Sequence, residues 1–143
     1  MARKSRKESA KAVVQEAVST CRAALYVRLS VEDSHTHSAS IETQQMIIAQ
    51  FLERNPDIQV YDTYIDNGTS GTTFHRPAFQ KMLSDIESGF VNCVIVKDLS
   101  RFGRDYIESG RYIQKVFPAL GVRFIALTDH YDSIHADAGE SGI

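Results

Sequence analysis

Residues 76–98, with the sequence RPAFQKMLSDIESGFVNCVIVKD, combine a helix signal with the signal for a buried strand. The segment Arg76–Ser88 is predicted to be helical, because Pro77 lies near its first position and Gly89 lies just beyond its end. The segment Asn92–Lys97 has an apolar middle, which is typical of a strand that is buried on both faces of a sheet. A helix and a strand in this order are the second and third elements of a β-α-β unit, in which the two strands run parallel.

The same alternation of strands and helices extends on both sides of this segment. Further strands are predicted at Ala23–Leu29, Ile58–Ile65 and Val122–Leu127, and further helices at Ser40–Arg54 and Tyr106–Phe117. We therefore expect an α/β domain with a mainly parallel central sheet of four to five strands, flanked by helices. In such sheets ligands bind beyond the carboxyl ends of the strands, so the loops that begin at Leu29, Asp66 and Asp98 should share one edge, joined by the loop after Leu127.

Length and composition place the chain among globular proteins. Its 143 residues suffice for one domain with its own core, and the apolar and charged fractions of 43% and 24% are ordinary for a soluble protein. The sequence contains neither the run of about eighteen apolar residues that a transmembrane helix needs nor a secretory signal. The two cysteines, Cys21 and Cys93, have no metal-site spacing and no disulfide framework, so we expect two reduced cytosolic thiols.

The net charge of −2 is unevenly distributed along the chain. Residues 1–22 carry six basic and two acidic side chains, whereas the remainder carries ten basic and sixteen acidic ones. The basic arm could hold a short helix around Glu8–Val18, and it could be a mobile tail or a nonspecific contact for DNA or a partner. An anion-binding site in the acidic remainder therefore requires a local concentration of basic residues.

The first candidate site residues lie at the end of the first strand. Tyr26, Arg28 and Ser30 alternate along this strand and therefore point to the same face. An arginine in an otherwise apolar strand is costly unless it pairs with another group. Ser30 is placed to meet whatever Arg28 binds, although a serine at this point could also be an ordinary loop or capping residue.

The first helix carries a polar side chain in an apolar stripe. Gln44 falls in the middle of the stripe formed by Ile41, Ile47, Ile48, Phe51 and Leu52. An amide at such a position is expected to be hydrogen-bonded to a buried group. It could instead reach the edge of the stripe or bond to the local backbone.

The loop Asp66–His75 contributes three more candidates. Asp66 ends its strand, Ser70 follows in the loop, and Arg76 begins the next helix. The loop matches neither of the common glycine-rich nucleotide-binding patterns. An arginine at the N-terminal end of a helix weakly indicates an anion there, because the helix dipole favours negative charge at that end.

The loop Asp98–Asp105 and the preceding Lys97 contribute three basic side chains to the predicted edge. Lys97, Arg101 and Arg104 are spaced at i, i+4 and i+7, so their side chains can converge if this turn is helical, with Ser100 among them. A solvated charged loop is the alternative. With Arg28 and Arg76, these side chains surround a serine hydroxyl with cations that match phosphate oxygens. This set favours phosphoryl transfer by a serine nucleophile, without a metal-ligand cluster.

Four motifs in this order resemble the catalytic domain of serine recombinases, the resolvase/invertase family. They are Tyr26-x-Arg28-x-Ser30, Ser40-Ile41-x-x-Gln44, the set Asp66, Ser70-Gly71 and Arg76, and the run LSRFGRD at 99–105. The resemblance covers about Ala23–Ser133 and is greatest to large serine recombinases of conjugative or mobilisable transposons. Small members of the family usually carry Asp where this chain has Ser100, so the role of that residue stays open.

The resemblance implies a three-layer resolvase-like catalytic domain at 23–133. A basic arm at 1–22 would precede it, and a truncated tail at 134–143 would lead towards a dimerisation helix and DNA-binding domains. The activity implied is site-specific recombination for excision or integration of a mobile element. Ser30 would cleave and rejoin DNA through a 5′-phosphoserine intermediate, and four subunits would exchange strands by rotation. The isolated segment is expected to be inactive.

The resemblance also implies roles for the individual residues. The catalytic set would be Ser30, Arg28, Arg76, Arg101 and Arg104, with Gln44 and Asp66 as orienting residues. Ser70, Lys97 and Ser100 would contact DNA or phosphate. The implied partners are double-stranded DNA and further copies of the chain, with no cofactor, metal, membrane or small-molecule substrate. The implied location is the bacterial cytoplasm, at the nucleoid.

Two other interpretations remain. A degenerate recombinase-like module could bind DNA or a partner without cutting it, and Ser100 in place of Asp is the feature that supports it. An unrelated α/β nucleotide or phosphoester enzyme of flavodoxin-like shape would need a glycine-rich loop after the first strand. That loop reads VEDSHTHSA and contains no glycine, so this interpretation ranks last.

Overall fold

A computed structural model describes residues 21–30, 40–69, 76–103 and 106–135, with only the backbone of Ser30 and Thr69. The helix predicted around Glu8–Val18 and the candidate residues Ser70 and Arg104 lie outside this part of the chain.

Five strands form one sheet in the order β2-β1-β3-β4-β5. They are β1 (Cys21–Ser30), β2 (Ile58–Thr69), β3 (Cys93–Val96), β4 (Arg123–Ala126) and β5 (Tyr131–Asp132). The first four run parallel, and β5 pairs antiparallel with β4. The predicted α/β fold with a mainly parallel sheet is therefore confirmed.

Helices lie on both faces of this sheet. They are α1 (Ile41–Glu53), α2 (Pro77–Glu87), α3 (Leu99–Phe102), α4 (Tyr106–Arg111), a π-helical turn (Tyr112–Val116) and α5 (Phe117–Ala119). One core cluster joins Ile48 of α1 to Ala23 and Val27 of β1. The other joins Ala24 and Tyr26 to side chains of α2, α3 and α5. Because side chains of a strand alternate between faces, these two cores establish three layers.

Local signals set two of the helix ends as predicted. Ser40 caps α1, because its hydroxyl accepts a hydrogen bond from the Thr43 backbone at 3.1 Å. Gly89 follows α2 with a φ of 84°, a left-handed conformation that glycine adopts without strain. Cys21 and Cys93, on adjacent strands, are buried free thiols.

The predicted loop at Asp66–His75 begins later than expected, because β2 continues to Thr69. Leu29 pairs with Asn67 and Ser30 with Thr69, so Gly68 is left over as a β-bulge with a φ of 82°. A glycine that reads as a loop signal in the sequence is therefore part of the strand. Beyond the bulge, Thr69 of β2 pairs with Ser30, the last residue of β1.

Three further predictions near the C-terminal half were wrong in detail. The predicted turn at Asp98–Asp105 contains the short helix α3, and β5 lies beyond Val122–Leu127, the last strand that was predicted. The helix predicted to stop at Phe117 continues to Ala119. Pro118 is tolerated there, because the wide π turn just before it places the proline in the first turn of α5.

Candidate active site

The carboxyl ends of the parallel strands form the edge at which the candidate residues were expected. Ser30 ends β1, which lies between β2 and β3, and its backbone pairs with Thr69 of β2. Asp66 lies near the end of β2, and the segment Lys97–Arg101 follows β3 directly. The prediction that these segments share one edge of the sheet is confirmed.

Arg28 is fully buried two residues before Ser30. Its guanidinium donates to the main-chain carbonyls of Ser100 at 2.7 Å and Arg101 at 3.1 Å. Carbonyl groups near the end of a helix need donors from outside the helix, and a guanidinium supplies several in a fixed geometry. The cost of burying this charge is thus offset by bonds that tie α3 to the end of β1.

Gln44 is also fully buried, and it bonds to the peptide groups of Arg28. Its side-chain oxygen accepts from the Arg28 N–H at 3.3 Å, and its side-chain nitrogen donates to the Arg28 C=O at 3.0 Å. These peptide groups point towards β3, as does the carbonyl of Arg22, which accepts from the Asn92 N–H. However, β3 ends at Val96 and does not extend far enough to pair with Arg28. The side chain of Gln44 therefore makes the hydrogen bonds that a longer β3 would make with Arg28. The expectation that Gln44 is hydrogen-bonded to a buried group is confirmed.

Replacement of Gln44 by alanine is expected to destabilise the domain by about 2–4 kcal/mol, because two buried main-chain groups lose a partner. Urea unfolding of this variant measures the loss. The matched control is Gln45→Ala at the next, exposed position of α1, which should change stability by less than about 0.5 kcal/mol. Equal effects of the two substitutions would contradict the role of Gln44 at the end of β1.

Asp66 caps helix α2 from the neighbouring strand. Its buried carboxylate accepts from the backbone N–H groups of Ala78 and Phe79, both at 3.0 Å. The N-cap residue Arg76 makes no such bond with its own side chain. The sequence predicted an anion at this helix N-terminus from the position of Arg76. That anion is the carboxylate of Asp66, which the helix dipole stabilises there.

The hydroxyl of Tyr26 links Asp66 to Arg76. It donates to Asp66 at 2.8 Å and accepts from the Arg76 guanidinium at 3.0 Å. Burial raises the pKa of Tyr26 well above its ordinary value, although the charge of Arg76 opposes this effect. The hydroxyl therefore stays protonated and donates a hydrogen bond to Asp66. Arg76, itself fully buried, also donates to the carbonyl of Phe102 at 2.8 Å, at the end of α3.

The basic loop after β3 is held together by Asp98. One carboxylate oxygen accepts from the Arg101 N–H at 3.0 Å and from the Ser100 hydroxyl at 2.6 Å, and the other contacts the Lys97 ammonium at 3.1 Å. Burial raises the pKa of Asp98, but the bonds from Ser100 and Lys97 outweigh burial, so the net pKa is lowered. Arg101 is 6% exposed and donates to the Arg28 carbonyl at 3.4 Å. The alternative of a solvated loop is wrong for Arg101.

Seven predicted site residues converge in this network: Arg28, Gln44, Asp66, Arg76, Lys97, Ser100 and Arg101. Three of them are buried arginines: Arg101 belongs to α3, and Arg28 and Arg76 donate to its carbonyls. Fixed positive charges at the end of β1 create a positive potential there. A negatively charged phosphate would be attracted to this point, where the main chain of Ser30 ends β1.

Sequence reasoning assigned no role to three residues of the network, although Tyr26 lies in its first motif. Tyr26 had a signal, since a buried tyrosine usually bonds through its hydroxyl. Asp98 had one too, as an N-cap type immediately before the helical residues LSRF. Asp129 had none, because it caps α3 from the loop after β4, where it accepts from the Leu99 N–H at 2.7 Å.

The described residues contain neither a metal-ligand cluster nor a membrane-spanning helix. Among them, groups of three or more His, Cys, Asp or Glu that could hold a metal ion are absent. None of the described helices has the length and apolar character needed to cross a membrane.

Comparison with known proteins gives consistent matches. The family model "Resolvase, N terminal domain" matches residues 23–141. The N-terminal catalytic domain of TP901-1 integrase is 31% identical with a TM-score of 0.70, over 78% of this chain and 81% of that chain. A resolvase family site-specific recombinase from Streptococcus pneumoniae is 28% identical with a TM-score of 0.64, over 86% and 88% of the two chains. The uncharacterized immunity region protein 3 of Bacillus phage phi105 is 35% identical over 68 residues, which are 47% of this chain and 80% of that protein.

Proposed function

The chain belongs to the resolvase family of serine site-specific recombinases, and on that premise we propose that Ser30 is the nucleophile that cleaves and rejoins DNA. The observation that carries this assignment is the position of Ser30. It ends β1 two residues after the buried Arg28, at the edge where three buried guanidinium groups meet. The reaction serves site-specific recombination of DNA, with excision or integration of a mobile element as the specific outcome that we propose.

The chemical step is a transesterification at phosphorus. The Ser30 hydroxyl gives up its proton as its oxygen forms a bond to the scissile phosphorus. The bond from phosphorus to the 3′ oxygen breaks, and that oxygen takes up a proton, so there is no net change in protons. The products are a 5′-phosphoserine link and a free 3′-hydroxyl. Attack by a 3′-hydroxyl on the phosphoserine reverses the step and rejoins the DNA. The covalent intermediate conserves the energy of the phosphodiester, so no nucleotide cofactor is required.

The arginines stabilise the charge that develops on the phosphate during transfer. Fixed cations in a site that is already assembled need no reorganisation when the reaction occurs. Arg28, Arg76 and Arg101 are supported in this role by their burial around α3, beside the end of β1. Arg104 and Ser70 are included on their match to the family motifs, and Lys97 and Ser100 as contacts for DNA.

Gln44 and Asp66 are positioning residues in this proposal. Gln44 fixes the peptide groups of Arg28, two residues before the nucleophile, and thereby sets the end of β1. Asp66 fixes the N-terminus of α2 and, through the Tyr26 hydroxyl, the guanidinium of Arg76. Neither residue needs to touch the phosphate in order to place the groups that do.

The proposed partners are double-stranded DNA and further copies of the chain, acting in the bacterial cytoplasm. We assign residues 23–133 as the catalytic domain and residues 1–22 as a basic arm. The sharp change of charge between the two parts supports this division, and the family match, which begins at residue 23, supports the same boundary.

The decisive experiment maps a covalent adduct. The full-length protein is incubated with supercoiled DNA that carries candidate recombination sites, the reaction is quenched and digested, and peptides are analysed by mass spectrometry. We expect a nucleotide adduct on the peptide that contains Ser30. An adduct on Ser70 or Ser100 would overturn the assignment of the nucleophile. Proven DNA binding without any adduct would favour a module that binds DNA without cutting it.

A further inference from the structure

Arg101 is held by a carboxylate that the site assignment above does not include. The guanidinium of Arg101 donates to the Ser100 hydroxyl at 3.2 Å, and this hydroxyl donates to the Asp98 carboxylate at 2.6 Å. The same carboxylate oxygen of Asp98 lies 3.5 Å from another nitrogen of the Arg101 guanidinium. Two routes, one direct and one through a hydroxyl, therefore connect the negative charge of Asp98 to Arg101.

The direction of these bonds shows what Ser100 does. A hydroxyl has one proton, and a short bond to a carboxylate commits that proton to Asp98. The lone pairs of the Ser100 oxygen are then left for the guanidinium, which has only donors. Ser100 thus bridges the Asp98 carboxylate and the Arg101 guanidinium, and it does not compete with Asp98 for the guanidinium.

Asp98 is also fixed on its other sides. Its second oxygen contacts the Lys97 ammonium at 3.1 Å, and its first accepts from the Arg101 N–H at 3.0 Å as the N-cap of α3. A single carboxylate therefore sets both the main chain and the side chain of Arg101. The side chain of Asp98 is 18% exposed, so water reaches it only partly and its charge is only partly screened.

We propose that Asp98 is a positioning residue, which acts through Ser100 to hold the Arg101 guanidinium in the orientation needed for phosphoryl transfer. The inference rests on the proposed function, since it concerns the geometry of one of its phosphate-stabilising groups. It explains how this chain can carry Ser100 where small serine recombinases usually carry Asp. The carboxylate is supplied from two residues earlier, and the serine transmits its effect.

The test moves the charge from one position to the other. Asp98→Asn keeps an oxygen that can cap α3 but removes the charge, and Asp98→Asn/Ser100→Asp restores a carboxylate beside Arg101. In the full-length protein, we expect the single substitution to slow single-turnover DNA cleavage on the order of 10²-fold, as for a misplaced catalytic group. DNA affinity should stay within about twofold, and the double substitution should recover at least about tenfold of the lost rate.

Asp129→Asn is the matched control, because Asp129 also caps α3 but does so through the Leu99 N–H. It should slow cleavage less than about threefold if positioning of Arg101 is what matters. Wild-type rates for Asp98→Asn would overturn the inference, and so would a loss of rate that the double substitution does not recover. Failure of the wild-type protein to form an adduct on Ser30 is a separate outcome, which would overturn the proposed function itself.

Discussion

Replacement of Ser30 by alanine is expected to abolish covalent attachment of the full-length protein to DNA while leaving DNA binding unchanged. A proposed nucleophile has no substitute in its own site, so the rate of cleavage should fall by at least about 10³-fold. Binding should persist, because affinity for DNA comes mainly from basic side chains that contact phosphates. Denaturing gels that resolve the protein–DNA adduct, together with band shifts at fixed salt concentration, measure the two properties separately.

A second serine provides the control for this substitution. Ser84 is exposed on α2, and Ser84→Ala should leave both attachment and binding within about twofold of wild type. Attachment that survives in the Ser30→Ala protein would remove Ser30 from the mechanism. Loss of binding together with attachment would show that the substitution perturbs the DNA-binding surface, and would equally contradict a purely nucleophilic role.

The order of elements and the shared edge could be predicted because they depend on short-range patterns. Apolar runs such as Asn92–Lys97 specify buried strands, and helix ends are marked by Ser40, Pro77 and Gly89. Once four strands alternate with helices, parallel pairing and a common carboxyl edge follow from the geometry of the crossover. The sequence thus predicted the edge of the sheet at which the described candidate residues lie.

The contacts within the site depend on residues far apart in the chain, which no local pattern specifies. Arg28 and Ser100 are 72 residues apart, yet the guanidinium of one bonds the carbonyl of the other. The cap of α2 comes from Asp66, 12 residues before Ala78. β5 contains only two residues, too few for a period-2 pattern, and is formed by pairing with β4.

These long-range contacts give the candidate site residues a structural role in addition to the chemical role that we propose for them. The buried guanidinium groups of Arg28 and Arg76 bond to carbonyls of α3, so they hold this short helix against the sheet. Groups with fixed geometry before the substrate arrives are suited to electrostatic stabilisation of a transition state. Substitutions in this network are therefore expected to affect stability and activity together, and the strongest case is Asp66.

Replacement of Asp66 by alanine is expected to destabilise the domain by about 3–5 kcal/mol, a large part of the stability of an ordinary domain. The carboxylate is 3% exposed and accepts three hydrogen bonds, from the backbone of Ala78 and Phe79 and from the hydroxyl of Tyr26. Its removal leaves two buried N–H groups without this acceptor. It also takes away the negative charge nearest to the Tyr26 hydroxyl that Arg76 contacts.

Urea unfolding compares this variant with Asp62→Ala, an exposed position on the same strand, which should change stability by less than about 0.5 kcal/mol. Asp66→Asn should fall between the two, because the amide keeps one oxygen acceptor but loses the charge that the helix N-terminus favours. A loss below about 1 kcal/mol for Asp66→Ala would mean that water or another group replaces the carboxylate. In that case Asp66 would not be the group that fixes Arg76 at the edge of the sheet.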